Sequence, residues 1–479
     1  MEKKEKSIKF NLVMNMLLTT SAFVFPLITF PYITRVLLPE GNGKIAFANS
    51  VINYFSMFAM LGIPTYGIRA CAQVRDDKEQ MSKTAQEIWM INGIMTLLAY
   101  AALAVALICV PRFKAERILL LVCSLSLFLN LIAMEWVYKA LECYTYITLR
   151  SLAFKVLAVI CMFLMVHTKE DYIKYAGITV LANTGYGVFN LFNLRKHIIF
   201  KRFKDYHFRR HLKPVFIFFA MSVAITIYSN LDITMLGFMR DNTEVGYYTT
   251  AFKLYSVILG FFTAFTNVML PRMSSLLAEG DKGRFQSLIT KSFSMMSAFS
   301  IPMIACSVLL APKIIYMLSG SGYEGAILPM RIIMPTVLFV GVSQVLAVQV
   351  LLPMKKDKVL FVASILGACV SVLINFIFVP HTQSVGTAIV LFCSEVVVTI
   401  VYVLYTQWNK LFIIPWKVIS FNIVCSLPCV PICYVCEKWI TNNFLSIGLA
   451  IIVSLLYFLG VQLKFNTMIG AAIYRYFHK

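Results

Sequence analysis

The sequence of residues 228–274 is YSNLDITMLGFMRDNTEVGYYTTAFKLYSVILGFFTAFTNVMLPRMS, two apolar runs around a short polar turn. The first run begins after Pro214 and is long enough to cross a bilayer. It carries Asp232 near its far end, and the second run carries Lys253. A charged side chain in lipid costs roughly 3 kcal/mol even on insertion-based scales. Both charges are therefore expected to face a protein interior or a water-filled cavity.

The composition of the whole chain indicates a polytopic helical membrane protein. Of 479 residues, 59% are hydrophobic and 14% are charged, and the mean hydropathy is +0.78. The apolar residues form continuous blocks of about 20, the length of a membrane helix, rather than the alternating segments of a barrel. The formal net charge is +21, but the basic residues lie in loops between apolar blocks. That distribution indicates membrane orientation, and no nucleic acid partner is predicted.

The apolar blocks predict about fourteen spans. They cover residues 11–36, 43–63, 86–110, 118–138, 147–166, 173–194, 214–238, 246–270, 291–311, 326–352, 359–379, 384–406, 415–436 and 443–463. With this count, 30 Lys and Arg residues fall on the side of the N-terminus and 10 on the other side. Positively charged loops stay inside, so both termini are predicted to be cytoplasmic.

A basic loop and an internal repeat predict two halves of six spans each. The loop, residues 196–213, is interpreted as a solvated cytoplasmic linker on anionic lipid rather than a specific partner site. EGNGKIAFANSVINYF from Glu40 aligns with TEVGYYTTAFKLYSVI from Thr243. Because six is even, the halves are predicted to be parallel repeats with a path between them. The predicted domains are 1–195 (N-lobe), 196–213 (linker), 214–406 (C-lobe) and 407–479 (two additional spans and a cytoplasmic tail).

No pattern in the chain predicts an enzyme, a metal site or a cofactor. A phosphate-binding loop, a nucleophile elbow and a zincin signature are all missing from the sequence. Four of the twelve cysteines fall on one helix face: Cys425, Cys429, Cys433 and Cys436. A structural zinc site needs ligands from more than one helical face, so packing of a helix seam is the favoured interpretation of these thiols.

Charged residues in or near the spans are the candidate site residues. Five cations are predicted to line an electropositive cavity that suits a phosphate or pyrophosphate group: Arg35, Lys44, Lys139, Lys253 and Arg331. The alternative for each is snorkelling to the membrane interface, which is weighed equally for those near span ends. Asp232 either pairs with a cation or binds H⁺ or Na⁺ to drive exchange, and Glu135 is a lesser candidate for the same role.

Three blocks of sequence resemble a known family. They are FPYITRVLLPEGNGKIAFANSVINYFSMFAMLGIPTYGIR (residues 30–69), EWVYKALECYTYITLRS (residues 135–151) and SNLDITMLG with the following VGYYTTAFKL and VMLPRMS. They resemble polysaccharide-type flippases, the Wzx-like O-antigen and capsule repeat-unit flippases of the MOP exporter superfamily. The resemblance extends to about residue 410 and marks Arg35, Lys139 and Asp232, whose surrounding motifs match. Lys44 and Lys253 are included by position alone.

The resemblance implies an all-α protein with two pseudo-symmetric six-helix lobes, MATE/MOP-like, around a central cavity, plus two extra C-terminal helices. It also implies transfer of an undecaprenyl-pyrophosphate-linked oligosaccharide from the inner to the outer leaflet, coupled to an ion. Polysaccharide polymerase or assembly proteins are then expected partners. A MATE-like multidrug antiporter is the first alternative, although its cavity is usually more acidic. A membrane glycosyltransferase is a second alternative, although the loops are too short for a catalytic domain.

Overall fold

The computed structural model describes residues 8–465, which form helices and loops without a strand. Within residues 8–24 it describes the side chains of Met14, Leu17, Leu18 and Ser21 only. The chain divides into two compact units, Met1–Thr234 and Met235–Lys479. The predicted domain boundaries at 195, 213 and 406 stay predictions. Both chain ends, for which the charge count predicts a cytoplasmic location, lie outside the described residues.

The first unit is built from long apolar helices joined by short amphipathic ones. Its helices are α1 Ile8–Met60, α2 Ile63–Ala72, α3 Lys78–Cys109, α4 Pro111–Ala115, α5 Arg117–Ala133, α6 Glu135–Ala140, α7 Tyr144–Met165, α8 Tyr172–Thr184, α9 Gly187–Leu194 and most of α10 Arg209–Met239, with a 3-10 turn at Lys169–Asp171. Helix α1 packs against α3, α5 and α7, so it forms the centre of this unit.

The second unit has the same helical character. Its helices are α11 Asn242–Glu279, α12 Lys282–Leu309, α13 Ala311–Ser319, α14 Ile327–Ile333, α15 Thr336–Gln344, α16 Asp357–Trp408, α17 Trp416–Ser426, α18 Cys429–Trp439 and α19 Asn443–Lys464, with a 3-10 turn at Glu324–Ala326 and a π-helical turn at Val345–Leu351. Helix α12 packs against α15, α17 and α18, and α11 packs against α14 and α15.

The helices are long and apolar enough to make this a multi-pass membrane protein. Within residues 8–465, nine helices have the length and hydropathy of a membrane span, or ten if the bent pair around Pro335 is one span. The predicted number of fourteen stays a prediction. Large apolar side chains point outward, such as Leu97 and Ile108 of α3, which are 71% and 78% exposed. Lipid is the solvent that such a surface requires.

Three helix interruptions lie where the sequence places its proline and loop signals. Helix α1 contains a non-helical residue at Leu38 (φ 58°), directly before Pro39, and α16 contains one at Gln383 (φ 58°). Each break falls between two of the predicted spans. At Pro335 the chain bends by 41°, as expected where a proline removes a backbone hydrogen bond. Helices α1 and α16 therefore each contain two helical segments, and so does the chain around Pro335.

The basic linker bonds to the rest of the first unit at several points, while its charged side chains stay exposed. The Ile199 N–H donates to Ser82 Oγ over 2.8 Å, and Gln86 Nε2 donates to the Ile199 carbonyl over 2.8 Å. The Tyr206 hydroxyl donates to Gln86 Oε1 over 2.7 Å. Ile198 is buried. Residues 195–208, which we call the strap, are thus held along the beginning of α3.

In the second unit, Lys313 joins α13 to the last two helices. Its Nζ donates to the carbonyls of Cys436 and Ile440 at 3.2 and 2.7 Å, and to Ser446 Oγ at 2.9 Å. It also contacts the Glu437 carbonyl. A lysine ammonium commonly satisfies the open carbonyls at a helix C-terminus in this way. The four cysteines of the predicted helix seam are buried beside it, and Cys433 Sγ lies 3.3 Å from Cys306 Sγ.

Candidate functional site

A polar stripe follows one face of α10 within the first unit. It consists of Ser222, Thr226, Asn230 and Thr234, each one helical turn from the next. Asn53 Nδ2 of α1 donates to Asn230 Oδ1 over 2.9 Å. Thr234 Oγ1 donates to Ser50 Oγ over 3.1 Å. Side-chain hydrogen bonds between helices stabilise their packing in a membrane. The stripe therefore joins α10 to α1 through uncharged polar groups.

The polar stripe lines an open groove of ≈ 270 Å³. The groove is bounded by Asn53, Ser56, Met57, Met60, Gly62, Pro64, Ser222, Thr226 and Asn230. Its polar groups are amides and hydroxyls, which both donate and accept hydrogen bonds. Two methionines supply an adaptable apolar floor. A groove of this composition matches a ligand that presents many hydroxyl groups and little charge of its own.

Asp232 and Arg35 lie in the first unit, at different places. Asp232 is half-buried on α10, close enough to Tyr54 to act on it electrostatically. Arg35 is exposed on α1, where its Nη1 donates to the Pro31 carbonyl of its own helix over 2.6 Å. The roles predicted for both residues stay predictions.

Lys44, another predicted cavity cation, belongs to a cluster of acids in the first unit. Its Nζ lies 2.9 Å from Glu40 Oε1 and 3.5 Å from Glu116 Oε1. It also lies 4.9 Å from the centroid of the Tyr172 ring. Its side chain is only 20% exposed. Two carboxylates thus compete with any anionic ligand for this ammonium group.

Glu135 and Lys139 lie together, and Arg150 and Tyr186 contact the same Glu135 carboxylate. Lys139 Nζ lies 2.8 Å from Glu135 Oε1, and Arg150 Nη2 lies 3.0 Å from Glu135 Oε2. The Tyr186 hydroxyl donates to the same Oε2 over 2.7 Å. The Arg150 guanidinium stands 4.1 Å from the Tyr186 ring centroid and is also near the rings of Tyr138 and Tyr146. Glu135 therefore joins α6, α7 and the start of α9.

Replacing Arg150 by lysine is expected to lower the free energy of unfolding by about 2 kcal/mol. Lysine keeps the charge but cannot both stack on Tyr186 and reach Glu135, because its ammonium is a point donor. Thermal or SDS unfolding of purified protein measures the change. Tyr186→Phe is the matched control, since it keeps the ring and removes one hydrogen bond, for about 1 kcal/mol. Equal losses in the two variants would contradict the stacking role of Arg150.

The structure also contains a buried acidic node that the sequence reasoning missed. Glu87 of α3 is 0% exposed. Its Oε2 accepts from Arg210 Nη2 over 2.7 Å and lies 2.7 Å from His211 Nε2, and its Oε1 accepts from the His207 backbone N–H over 2.7 Å. The other ring nitrogen of His211 lies 2.7 Å from the Tyr66 hydroxyl. One carboxylate thus holds α2, α3, the strap and α10 together.

In the second unit, the structure places the two remaining predicted cations differently. Lys253 is half-buried within α11. Arg331 is exposed at the end of α14, and its Nε donates to the Val308 carbonyl over 3.1 Å. Lys253 therefore lies within a long helix, whereas Arg331 lies on a short one. Neither placement tests the predicted contact with substrate.

Comparison with known proteins places this geometry in context. The family model described as "Polysaccharide biosynthesis protein" matches residues 8–277, more than half of the chain. Two curated relatives carry the name "Putative O-antigen transporter". The protein from Escherichia coli (strain K12) is 26% identical over 420 residues, covering 86% of this chain and 100% of the relative. The one from Shigella dysenteriae is 24% identical over 399 residues, covering 82% and 98%.

Two solved structures share the fold. "Lipid II flippase MurJ, inward closed conformation" superimposes with a TM-score of 0.74 at 16% identity, covering 95% of this chain and 98% of that one. The inward-facing structure of a multidrug resistance MATE family transporter of the MOP superfamily gives 0.61 at 14% identity, covering 83% and 97%. At such identities the likeness concerns the fold, and it confirms the predicted MATE/MOP-like architecture. The chain therefore belongs to the polysaccharide biosynthesis protein family.

Proposed function

We propose that the protein is a flippase for undecaprenyl-pyrophosphate-linked oligosaccharide repeat units. It would move them from the inner to the outer leaflet of the bacterial cytoplasmic membrane for surface polysaccharide synthesis. The observation that carries the proposal is the likeness to two proteins named as O-antigen transporters, which extends over 100% and 98% of their lengths. A match of that extent includes both units, and a domain shared with unrelated transporters would match only in part.

The groove beside the polar stripe supports an oligosaccharide as the transported group. Each sugar hydroxyl both donates and accepts, and the amides of Asn53 and Asn230 offer both functions. Asn230 and Asn53 already bond each other, so a sugar hydroxyl can insert by exchanging one amide hydrogen bond for another. The net free energy of such an exchange is small, which suits a transporter that must also release its cargo.

Cations on the apolar helices support a pyrophosphate as the charged part of the substrate. A charge-assisted hydrogen bond contributes about 1.5–3 kcal/mol. Among the predicted cavity cations, Lys44 and Lys139 lie beside protein carboxylates. Arg35 of the first unit and Lys253 of the second unit lie on helices that are long and apolar enough to span a membrane. Each of them is proposed as a cation that can contact the pyrophosphate, and Asp232 is proposed as the group that binds the coupling H⁺ or Na⁺.

Complementation tests the function and the site separately. The chain is expressed in a strain that lacks its own repeat-unit flippase, and surface polysaccharide is measured. Wild type is expected to restore it. Arg35→Ala combined with Lys253→Ala is expected to reduce export at least tenfold, since each lost contact corresponds to about a tenfold change. Asp232→Asn is expected to remove the dependence of export on the ion gradient.

The matched control is Arg284→Ala, which removes an equally basic side chain that is 78% exposed. It is expected to export normally. Normal export by the Arg35/Lys253 double variant would overturn the site, and failure of wild type in every flippase-null background would overturn the function. The second candidate, a multidrug antiporter, rests on the fold shared with the MATE transporter. Drug efflux from vesicles without an effect on surface polysaccharide would favour it.

A further inference from the structure

A second cavity lies in the first unit, away from the polar stripe. Its volume is ≈ 590 Å³, and it is lined by Lys78, Leu191, Phe192, Arg195, Ile198, Ile199 and Phe200. Lys78 is the first residue of α3, and Arg195 directly follows α9. Leu191 and Phe192 belong to α9, and the remaining lining residues belong to the strap. We call this cavity the strap pocket. Its size lies within the range of cavities that hold small ligands.

The wall of the strap pocket is fixed by the backbone. Ile199 uses both its N–H and its carbonyl to bond Ser82 and Gln86 of α3, each over 2.8 Å. Ile198, next to it, is buried in the core of the first unit. A loop with both backbone groups bonded and one side chain buried keeps its shape. The pocket is therefore a built feature and does not arise from a loose surface loop.

The charge of the strap pocket is positive and uncompensated. Three acids lie near the start of α3, and none of them lines the pocket. Asp76 is exposed, Asp77 accepts from the Glu79 and Gln80 N–H groups, and Glu79 pairs with Lys201 over 2.7 Å. Among the residues that the structure describes, neither Lys78 nor Arg195 has an ion pair with a carboxylate. One ammonium group and one guanidinium group thus face a cavity whose lining residues include no carboxylate.

The other side of the strap pocket is apolar and open to its surroundings. Phe192 is 64% exposed and Phe200 is 56% exposed. Phe189, one turn from Phe192 on α9, is exposed as well. Exposed aromatic rings beside cations at the end of a membrane helix are typical of the interface between hydrocarbon and headgroups. The pocket thus offers a cationic end for a phosphate and an apolar wall for an acyl chain.

We propose that the strap pocket binds one anionic phospholipid of the cytoplasmic leaflet. Its phosphodiester lies between Lys78 and Arg195, and its acyl chain lies along Leu191 and Phe192. Basic pockets between membrane helices on the cytoplasmic side bind anionic headgroups. The lipid would hold the strap against α9, and through the strap it would support the node at Glu87. This inference requires a cytoplasmic strap but does not depend on the identity of the transported substrate.

Native mass spectrometry and thermal unfolding of the full chain in detergent test the proposal. Wild type is incubated with phosphatidylglycerol, phosphatidylcholine or inorganic phosphate. It is expected to retain one molecule of phosphatidylglycerol and to gain thermal stability from it alone. Lys78→Ala combined with Arg195→Ala is expected to retain this lipid roughly 30-fold more weakly, the factor for two interfacial cations.

Lys282→Ala combined with Arg284→Ala removes two exposed cations outside the pocket and is expected to bind like wild type. Each variant is compared with itself in the absence of lipid, so a loss of intrinsic stability does not imitate a loss of binding. Equal retention of phosphatidylglycerol by both double variants would overturn the pocket. An equal gain from phosphatidylcholine, or a gain from inorganic phosphate, would overturn an anionic lipid as its occupant.

Discussion

Alanine at position 62 is expected to prevent accumulation of folded protein. Gly62 lies between α1 and α2 with φ +71°, a conformation that costs an L-residue about 1–2 kcal/mol. A Cβ there would also stand 2.6 Å from the backbone carbonyl carbon of Phe218 and the backbone nitrogen of Phe219. These atoms belong to α10 and cannot rotate away. Strain and overpacking together are expected to cost about 3–5 kcal/mol, a large part of a domain's stability.

Fluorescence-detected size-exclusion chromatography of a tagged chain measures this loss as a missing monodisperse peak. Two glycines provide controls. Gly280→Ala shares the positive φ, +74°, but a Cβ there meets nothing within 4 Å, so this variant reports strain alone. Gly93→Ala, within α3, has neither strain nor neighbours and is expected to be neutral or stabilising. If Gly62→Ala behaved like Gly280→Ala, the close approach of α10 to the turn would be wrong.

Glutamine at position 87 is expected to destabilise the first unit by about 3 kcal/mol. The Glu87 carboxylate is buried, and it accepts hydrogen bonds from Arg210, His211 and a backbone N–H. Glutamine keeps the shape but removes the charge and replaces one acceptor by a donor. The Arg210 guanidinium then lacks its counter-ion. The glutamine NH₂ group also faces one of the donors that bonds the carboxylate in the wild type. Hydrogen bonds to a charged group are the strong ones that this variant loses.

Thermal unfolding measures the cost, and trypsin tests its location. The strap is rich in lysine and arginine, so its release from α3 is expected to speed cleavage within residues 195–213. Glu79→Gln is the matched control on the same helix, because its ion pair with Lys201 is exposed, and such pairs contribute about 0–1 kcal/mol. A Glu87→Gln variant with the stability and cleavage rate of the control would show that the node does not hold the strap.

The architecture was largely predictable from sequence because membrane helices are coded locally. Continuous apolar runs of about 20 residues give a helix wherever they occur, and α3, at Lys78–Cys109, covers all but the last residue of the span predicted at 86–110. Prolines and polar turns marked the interruptions at Leu38 and Pro335. The polar stripe was also predictable from the sequence, since four Ser, Thr and Asn residues recur at intervals of four in an apolar helix. The predicted site residues are all charged and do not include these four.

The node at Glu87 could not be predicted in this way. Glu87 lies one residue inside a predicted span boundary, where a glutamate is ordinarily solvated. Its partners, His207, Arg210 and His211, are 120 to 124 residues away. Only the packing of α10 beside α3 brings them together. The same long-range contacts explain why the basic strap, which by composition resembles a solvated linker, is folded onto the protein.

The ammonium group of Lys313 has a consequence for shortened forms of this chain. By composition the last two helices resemble removable additions, yet within residues 8–465 the oxygens that this ammonium binds come from these helices and the turn between them. A truncation before Trp416 would leave a cation on α13 with nothing to replace its lost hydration. The tail is thus a structural part of the second unit, and a minimal version of the protein would have to lose the lysine together with the helices.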